Sequence, residues 1–398
     1  MIERVAIESF KSIESLELEL GQVNVLIGAN GSGKSNLLEA IGVLSAAAEG
    51  KVTDQTLLQR GVRPGVPMLY KSSFRKHGGN GRLSSHICFS ASSAQARYEV
   101  SLNNPLKDPQ PAWRFKTERW ESLGKKIVGR SPRSRDKYNP EQGLAALRAV
   151  EQGSSSPALV LLRELQRYVI YTPTTAVLRG IAPETQPLKP VGLSGGQLAY
   201  AIREVLVERA EDEHTQDICR DTLEMIDWAK SFHSSPAAAI PMSRSPSAGS
   251  RVVSFVDRYM HPKRNRLSGY DASEGALFVL FLAVLAAHKT APAVCAVDNA
   301  DHGLNPRLAR RVMSNVCRWF LGSSPAKQIL LTTQNPLVLD GLPLQDDRVR
   351  LLCVSRTNTG RTVVSRIALD KKVKDFADRG WSLSRLWVTG QLGGLSDV

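Results

Sequence analysis

No apolar run in this 398-residue chain is long enough to span a bilayer. The longest, ALFVLFLAVLAA at 276–287, falls short of the roughly 20 residues a membrane helix needs. The N-terminal MIERVAIESF lacks the basic-then-apolar layout of a signal peptide, so the expected location is the cytoplasm, with no membrane partner. The five cysteines, Cys88, Cys219, Cys295, Cys317 and Cys353, form no CxxC pair, and three sit in apolar strand or helix patterns. Buried free thiols are the expectation, rather than metal ligands. The seven histidines, at 77, 86, 214, 233, 261, 288 and 302, show no metal-ligand or HNH-like spacing. Acidic residues are scarce: 38 Asp and Glu face 52 Lys and Arg, a formal charge of +14. Such an excess favours a polyanionic partner, expected to be nucleic acid held on a basic surface. The cations cluster in GKKIVGRSPRSRDKY (Lys125, Lys126, Arg130, Arg133, Arg135 and Lys137) and in HPKRNR at 261–266.

What is present is the material for a large core, 42% hydrophobic residues, arranged as strands alternating with helices at both ends of the chain. RVAIESF, SLELEL and VNVLIG read as strands, and a helix follows through NLLEAIGVLSAAA. Residues 85–121 alternate like a β meander, and 158–235 read as mostly helical. The Ser/Pro/Gly-rich stretch 234–250 has the composition of a flexible segment. A long apolar helix at 273–288, a buried strand AVCAVD, a helix from Pro306, a strand QILLTT, a hairpin and a last helix complete the chain. The expectation is an α/β fold with a mixed sheet, its core split between residues 1–103 and 261–370. A mainly helical insertion with a basic loop occupies 104–260, and a C-terminal helix and tail occupy 371–398.

GANGSGKS at 28–35 fits G-x-x-x-x-G-K-[ST] and lies between a buried strand and an amphipathic helix, the setting a phosphate-binding loop requires. Gly28, Gly31 and Gly33 let successive N–H groups turn toward phosphate at the positive end of the helix. Lys34 is the expected partner of the β and γ phosphates and Ser35 of Mg²⁺. Asn30, Ser32 and Asn36 complete the expected ATP-binding set. Such a loop needs an acid on a neighbouring buried strand, and PAVCAVDNAD supplies Asp298 where four apolar residues end. Asp298 is therefore the second expected Mg²⁺ ligand. QILLTTQNP ends in polar residues, with Gln334 where a group near the γ phosphate is expected.

LSGGQ at 193–197 spells the signature of ABC ATPases, in which that motif heads a helix leading directly into the strand of the acidic residue. Ser194 lies 298 − 194 = 104 residues before Asp298, too far for one helix and one strand. Ser273 lies 298 − 273 = 25 residues before it, at the head of the apolar helix. Ser273, Glu274 and Gly275 are therefore the expected signature, whose helix-start N–H groups can face ATP held by a second subunit.

The chain resembles the RecF/SMC/OLD-like branch of ABC ATPases, which includes AAA-family ATPases of anti-phage defence systems. The resemblance rests on IESFKSIESLELELGQVNVLIGANGSGKSNLLEAI, ASEGALFVLFLAVLAA, AVDNADHGLNPRL, LLTTQNPLVLDGL and SLSRLWVTGQLGGL. It implies a two-lobed ATPase head that forms a homodimer or higher homo-oligomer around ATP. Two positions depart from the family. Asn299 stands where a catalytic glutamate is expected, and Gln334 where a switch histidine is expected. An amide is no general base, so slow hydrolysis is expected unless Asp301 serves instead. No nuclease pattern follows Asp298. The expected role is an ATP-dependent sensor or scaffold for a separate effector nuclease or toxin; the alternative is a RecF-like DNA repair ATPase that binds DNA directly.

Overall fold

The computed structural model describes residues 1–74, 84–131, 138–243 and 249–392. Its strands, in chain order, are β1 (Arg4–Phe10), β2 (Ile13–Glu19), β3 (Val23–Ile27), β4 (His86–Ser92), β5 (Ala96–Asn103), β6 (Arg114–Ser122), β7 (Lys125–Arg130) and β8 (Val169–Tyr171). They continue with β9 (Ala229–Pro236), β10 (Arg251–Asp257), β11 (Arg266–Ser268), β12 (Val294–Val297), β13 (Gln328–Thr333), β14 (Val349–Arg356) and β15 (Thr362–Ile367). The helices that matter for the site are α1 (Lys34–Glu49), α2 (Leu198–Glu208), α3 (Glu213–Met225), α4 (Glu274–Ala287) and α5 (Pro306–Leu321).

The central sheet has the order β15-β14-β3-β13-β12-β8, parallel from β14 to β8, with β15 antiparallel at one edge. Its inner strands are buried without alternation, as VNVLI in β3, because both faces are covered. Val23, Val25, Ile27, Cys295, Val297, Ile329 and Leu331 join one core with α2, α3, α4 and α5. Leu26, Val294, Ala296, Leu330 and Leu352 join the other, with α1 and a second sheet. That second sheet, β2-β1-β4-β5-β6-β7, is antiparallel throughout. Helix α4 is buried from Gly275 to Ala287, so its apolar residues run all the way round rather than along one stripe. Among the described residues no helix is long and apolar enough to cross a membrane.

Residues 104–260 are woven into this frame. Strands β6 and β7 extend the antiparallel sheet, β8 pairs with Cys295–Val297 of β12, and α2 and α3 pack on α4. The stretch 234–250 is partly ordered, since Ser234–Pro236 pair with Arg251–Val253; residues 244–248 lie outside the described residues. In the basic run, Lys125 and Lys126 are exposed on β7, but Arg130 is buried. Its guanidinium donates to the carbonyls of Phe115 (3.4 Å), Asn139 (3.3 Å) and Gln142 (2.7 Å), a structural duty that removes it from the surface. The pleat explains this, because Arg130 shares a face with buried Val128. Arg133, Arg135 and Lys137 lie outside the described residues. Cys219, Cys295, Cys317 and Cys353 are buried free thiols, and Cys88 is half-buried.

Candidate functional site

The loop between β3 and α1 is pinned against the β14–β15 hairpin. A Cβ on Gly33 would sit 2.2 Å from Thr362 Oγ1, and Gly33 has φ +112, so both space and backbone require glycine there. A Cβ on Gly28 would lie 2.1 Å from the carbonyl oxygen of Val354. The Thr362 hydroxyl donates to the Ser32 carbonyl (2.9 Å) and lies 2.7 Å from Ser12 Oγ, which accepts from Asn36 Nδ2 at 2.7 Å. Asn36 therefore braces the loop from behind. Asn30 and Gly31 are exposed at the loop's crest.

Lys34 is buried, and its ammonium donates to the carbonyls of Gly28 (2.7 Å) and Ala29 (3.0 Å). Burial lowers its pKa, opposed by the nearby charges of Asp298 and Asp301. Ser35 Oγ donates to Asp298 Oδ2 at 2.9 Å, so the two expected Mg²⁺ ligands meet across 263 residues of sequence. The other Asp298 oxygen accepts from the Thr332 hydroxyl of β13, which also accepts the Asn299 N–H at 2.8 Å. Thr332 thus fixes both the carboxylate and the backbone after it. Asn299 has φ +55, a left-handed conformation that asparagine tolerates better than glutamate does. Its side chain is exposed, as is Gln334 directly after β13. Asp301 is half-buried and close enough for Lys34 to feel its charge.

These residues suit a nucleotide and a hard divalent cation. The Ser32 hydroxyl is buried without a partner among the described residues, while a hydroxyl and a carboxylate form the oxygen pair such a cation prefers. Glu39, one turn beyond Ser35 on α1, is buried and binds Lys11 and Arg63, the latter at 2.5 Å. That hydrogen bond raises the Arg63 pKa, and Asp298 adds to it. Lys11, Glu39, Arg63, Ser12, Thr332 and Thr362 escaped the sequence reading; a lone acid inside the apolar run of α1 was the available sign.

Ser273 caps α4, its Oγ accepting the Ala276 N–H at 3.4 Å. Glu274 binds the Thr175 hydroxyl and lies 3.2 Å from His302 Nε2, and a Cβ on Gly275 would lie 3.2 Å from the Gly303 carbonyl. The segment 273–275 therefore packs on the loop that follows Asp298. Among the described residues it makes no hydrogen bond or ion pair with residues 28–36. LSGGQ differs in kind: the N–H groups of Ser194 and Gly196 both donate to Glu184 Oε2 at 3.0 Å, and Gln186 N–H donates to Oε1 at 3.0 Å. A cleft of about 590 Å³ lined by Glu49, Arg60, Arg167, Gln186 and Lys189 includes none of residues 28–36, Asp298 or 273–275.

Residues 23–144 match the family model described as "AAA domain, putative AbiEii toxin, Type IV TA system". The DNA replication and repair protein RecF of Exiguobacterium sp. is 28% identical over 240 residues, covering 58% of this chain and 56% of that protein. RecF of Paenarthrobacter aurescens is 44% identical over 62 residues, covering 15% of this chain and 16% of that protein. The chain thus spans about half or less of the length of these curated relatives. A solved Smc head bound to the C-winged helix domain of ScpA shares the fold, with TM-score 0.53 at 14% identity over 94% of this chain and 99% of that one. Phosphate loop, central sheet and relatives agree: the chain has the fold of an Smc-type ATPase head and is similar in sequence to RecF.

Proposed function

We propose that the chain binds Mg²⁺–ATP at residues 28–36 and Asp298 and dimerises around it, acting chiefly as an ATP-dependent sensor or scaffold for a separate effector nuclease or toxin in anti-phage defence. Lys34 would leave the Gly28 and Ala29 carbonyls for the β and γ phosphates, with the N–H groups at the start of α1 pointing the same way. Ser35 and Asp298 would hold the cation, and Thr332 keeps Asp298 oriented toward it. The bound cation neutralises phosphate charge; everything else is positioning by the chain. The Ser273 segment of one subunit would face the nucleotide of the other.

The observation that carries the reading is the pair Asn299 and Gln334, exposed amides where the resembling family has a base and a switch histidine. Neither can take a proton from water. Long-lived ATP binding suits a scaffold better than a repair clamp that must cycle. The matched family's description, naming a toxin of a Type IV TA system, also supports a defence setting. The RecF matches favour the second reading, direct action on DNA in repair. Phosphate release by wild type and by the Asn299→Glu/Gln334→His variant separates the two. The scaffold reading expects wild-type turnover far below about 1 per second and a rise in the variant, tempered by about 1 to 2 kcal/mol of backbone strain at position 299. Ordinary wild-type turnover that disappears in Asp301→Ala, with ATP binding intact, would sink it.

A further inference from the structure

We propose that the loop joining β10 to β11 is a binding point for single-stranded nucleic acid, in which Tyr259 stacks on an unpaired base and Lys263, Arg264 and Arg266 take the phosphates. The proposal rests on the reading of the basic surface as a nucleic-acid surface, and it names which part of that surface acts and on what form of the polymer.

The loop RYMHPKRN (258–265) is closed at its neck by the Asp257 N–H donating to the Asn265 carbonyl at 2.8 Å. The Asp257 carboxylate accepts the N–H groups of Tyr259 (2.7 Å) and Met260 (2.8 Å). Within the tip, the Arg264 N–H donates to the His261 carbonyl at 2.8 Å. Arg258 anchors the near side, its guanidinium donating to the Ala229 carbonyl at 2.8 Å. The loop is therefore preformed, and little ordering cost remains for a ligand to meet. The one carboxylate at its neck is already engaged.

What this scaffold presents is unusual. Tyr259 is 77% exposed, the most exposed large aromatic among the described residues. An aromatic ring left in water forgoes the burial that normally holds it, and here it shares its loop with Lys263 and Arg264, with Arg266 at the start of β11, all exposed cations in no ion pair among the described residues. Cations beside a free aromatic face are the elements of single-strand binding, since every base offers a π-face for stacking. In a duplex those faces are hidden between neighbouring pairs. An acidic protein surface would use the cations but has no need of the ring.

Fluorescence anisotropy of the full chain with a labelled oligo-dT and a duplex of equal length tests this. Tyr259→Ala is expected to weaken oligo-dT binding roughly 5- to 150-fold, the range of one stacked base. Tyr259→Phe should stay near wild type. Lys263→Gln/Arg264→Gln should flatten the salt dependence by about 0.7 per lost phosphate contact. Wild-type affinity in Tyr259→Ala overturns the proposal. Binding of duplex without oligo-dT also overturns it but leaves the basic-surface reading standing; binding of neither removes both.

Discussion

Replacing Thr332 with valine probes the centre of the site with almost no change of shape. The hydroxyl is fully buried in β13, donates to the Asp298 carboxylate and accepts the Asn299 N–H at 2.8 Å. Valine keeps the β-branched form that suits a strand but leaves both partners unmatched. A hydrogen bond to a charged group contributes about 1.5 to 3 kcal/mol, and an orphaned buried N–H costs about 1 to 3 kcal/mol. Asn299 is exposed, so water can reach part of the gap, and the lower half of the summed range, about 2.5 to 4 kcal/mol, is the expected loss. Urea unfolding should show it as a lower midpoint at unchanged slope. The more specific readout is nucleotide affinity measured in Mg²⁺ and in EDTA. With Asp298 no longer aimed at Ser35, the variant should lose the Mg²⁺-dependent gain in affinity while keeping its binding in EDTA, and Thr332→Ser should restore the gain. A Thr332→Val protein with the wild-type midpoint and the wild-type Mg²⁺ gain would refute the claim that this hydroxyl organises the site.

Ser273→Arg should abolish the ATP-dependent rise in light scattering, because it puts a bulky cation at the head of α4, while Ser194→Arg should leave that rise intact; the reverse ranking would make LSGGQ the working signature. Lys125→Gln/Lys126→Gln should weaken duplex binding and lower its salt slope by about 0.9 per lost contact, whereas Arg130→Gln should instead cost at least about 2 kcal/mol in urea unfolding by stranding three carbonyls. Lys327 gives a pH signature. Burial pushes its pKa down to about 8 while its ammonium donates to the carbonyls of Ala286 (2.6 Å) and His288 (2.9 Å) at the end of α4. Between pH 8 and 10.5 the unfolded chain carries the extra proton, so stability should rise with pH across that window by up to about 3 kcal/mol, and Lys327→Met should lack the rise.

The phosphate loop, β3, β12, β13 and α4 were legible in the sequence because each is dictated locally, by glycines at fixed spacing or by an apolar run with no polar face. The supports of the site were not. Thr362 reaches Ser12 across 350 residues and Thr332 reaches Asp298 across 34, and a threonine in a strand looks the same whether or not it carries such a bond. Strand β8 was hidden for a related reason: three residues in a helix-like stretch become a strand only by pairing with β12. The burial of Arg130 could have been foreseen, since KKIVGR places it two residues from Val128 and hence on the same side of the pleat. The charge count alone treated all basic residues as surface.

The Glu184 carboxylate gives LSGGQ a meaning its spelling conceals. Ser194 and Gly196 lie 10 and 12 residues from Glu184, so the anion their amides hold is tethered by a short loop. A tether of that length gives the carboxylate an effective concentration on the order of millimolar or higher, comparable with a free ligand that never diffuses away. Any phosphate approaching these amides would have to displace a built-in competitor and leave a carboxylate without its donors. Of GANGSGKS and LSGGQ, the motif whose spelling names a nucleotide contact is thus the one whose amides already hold an anion of the chain's own.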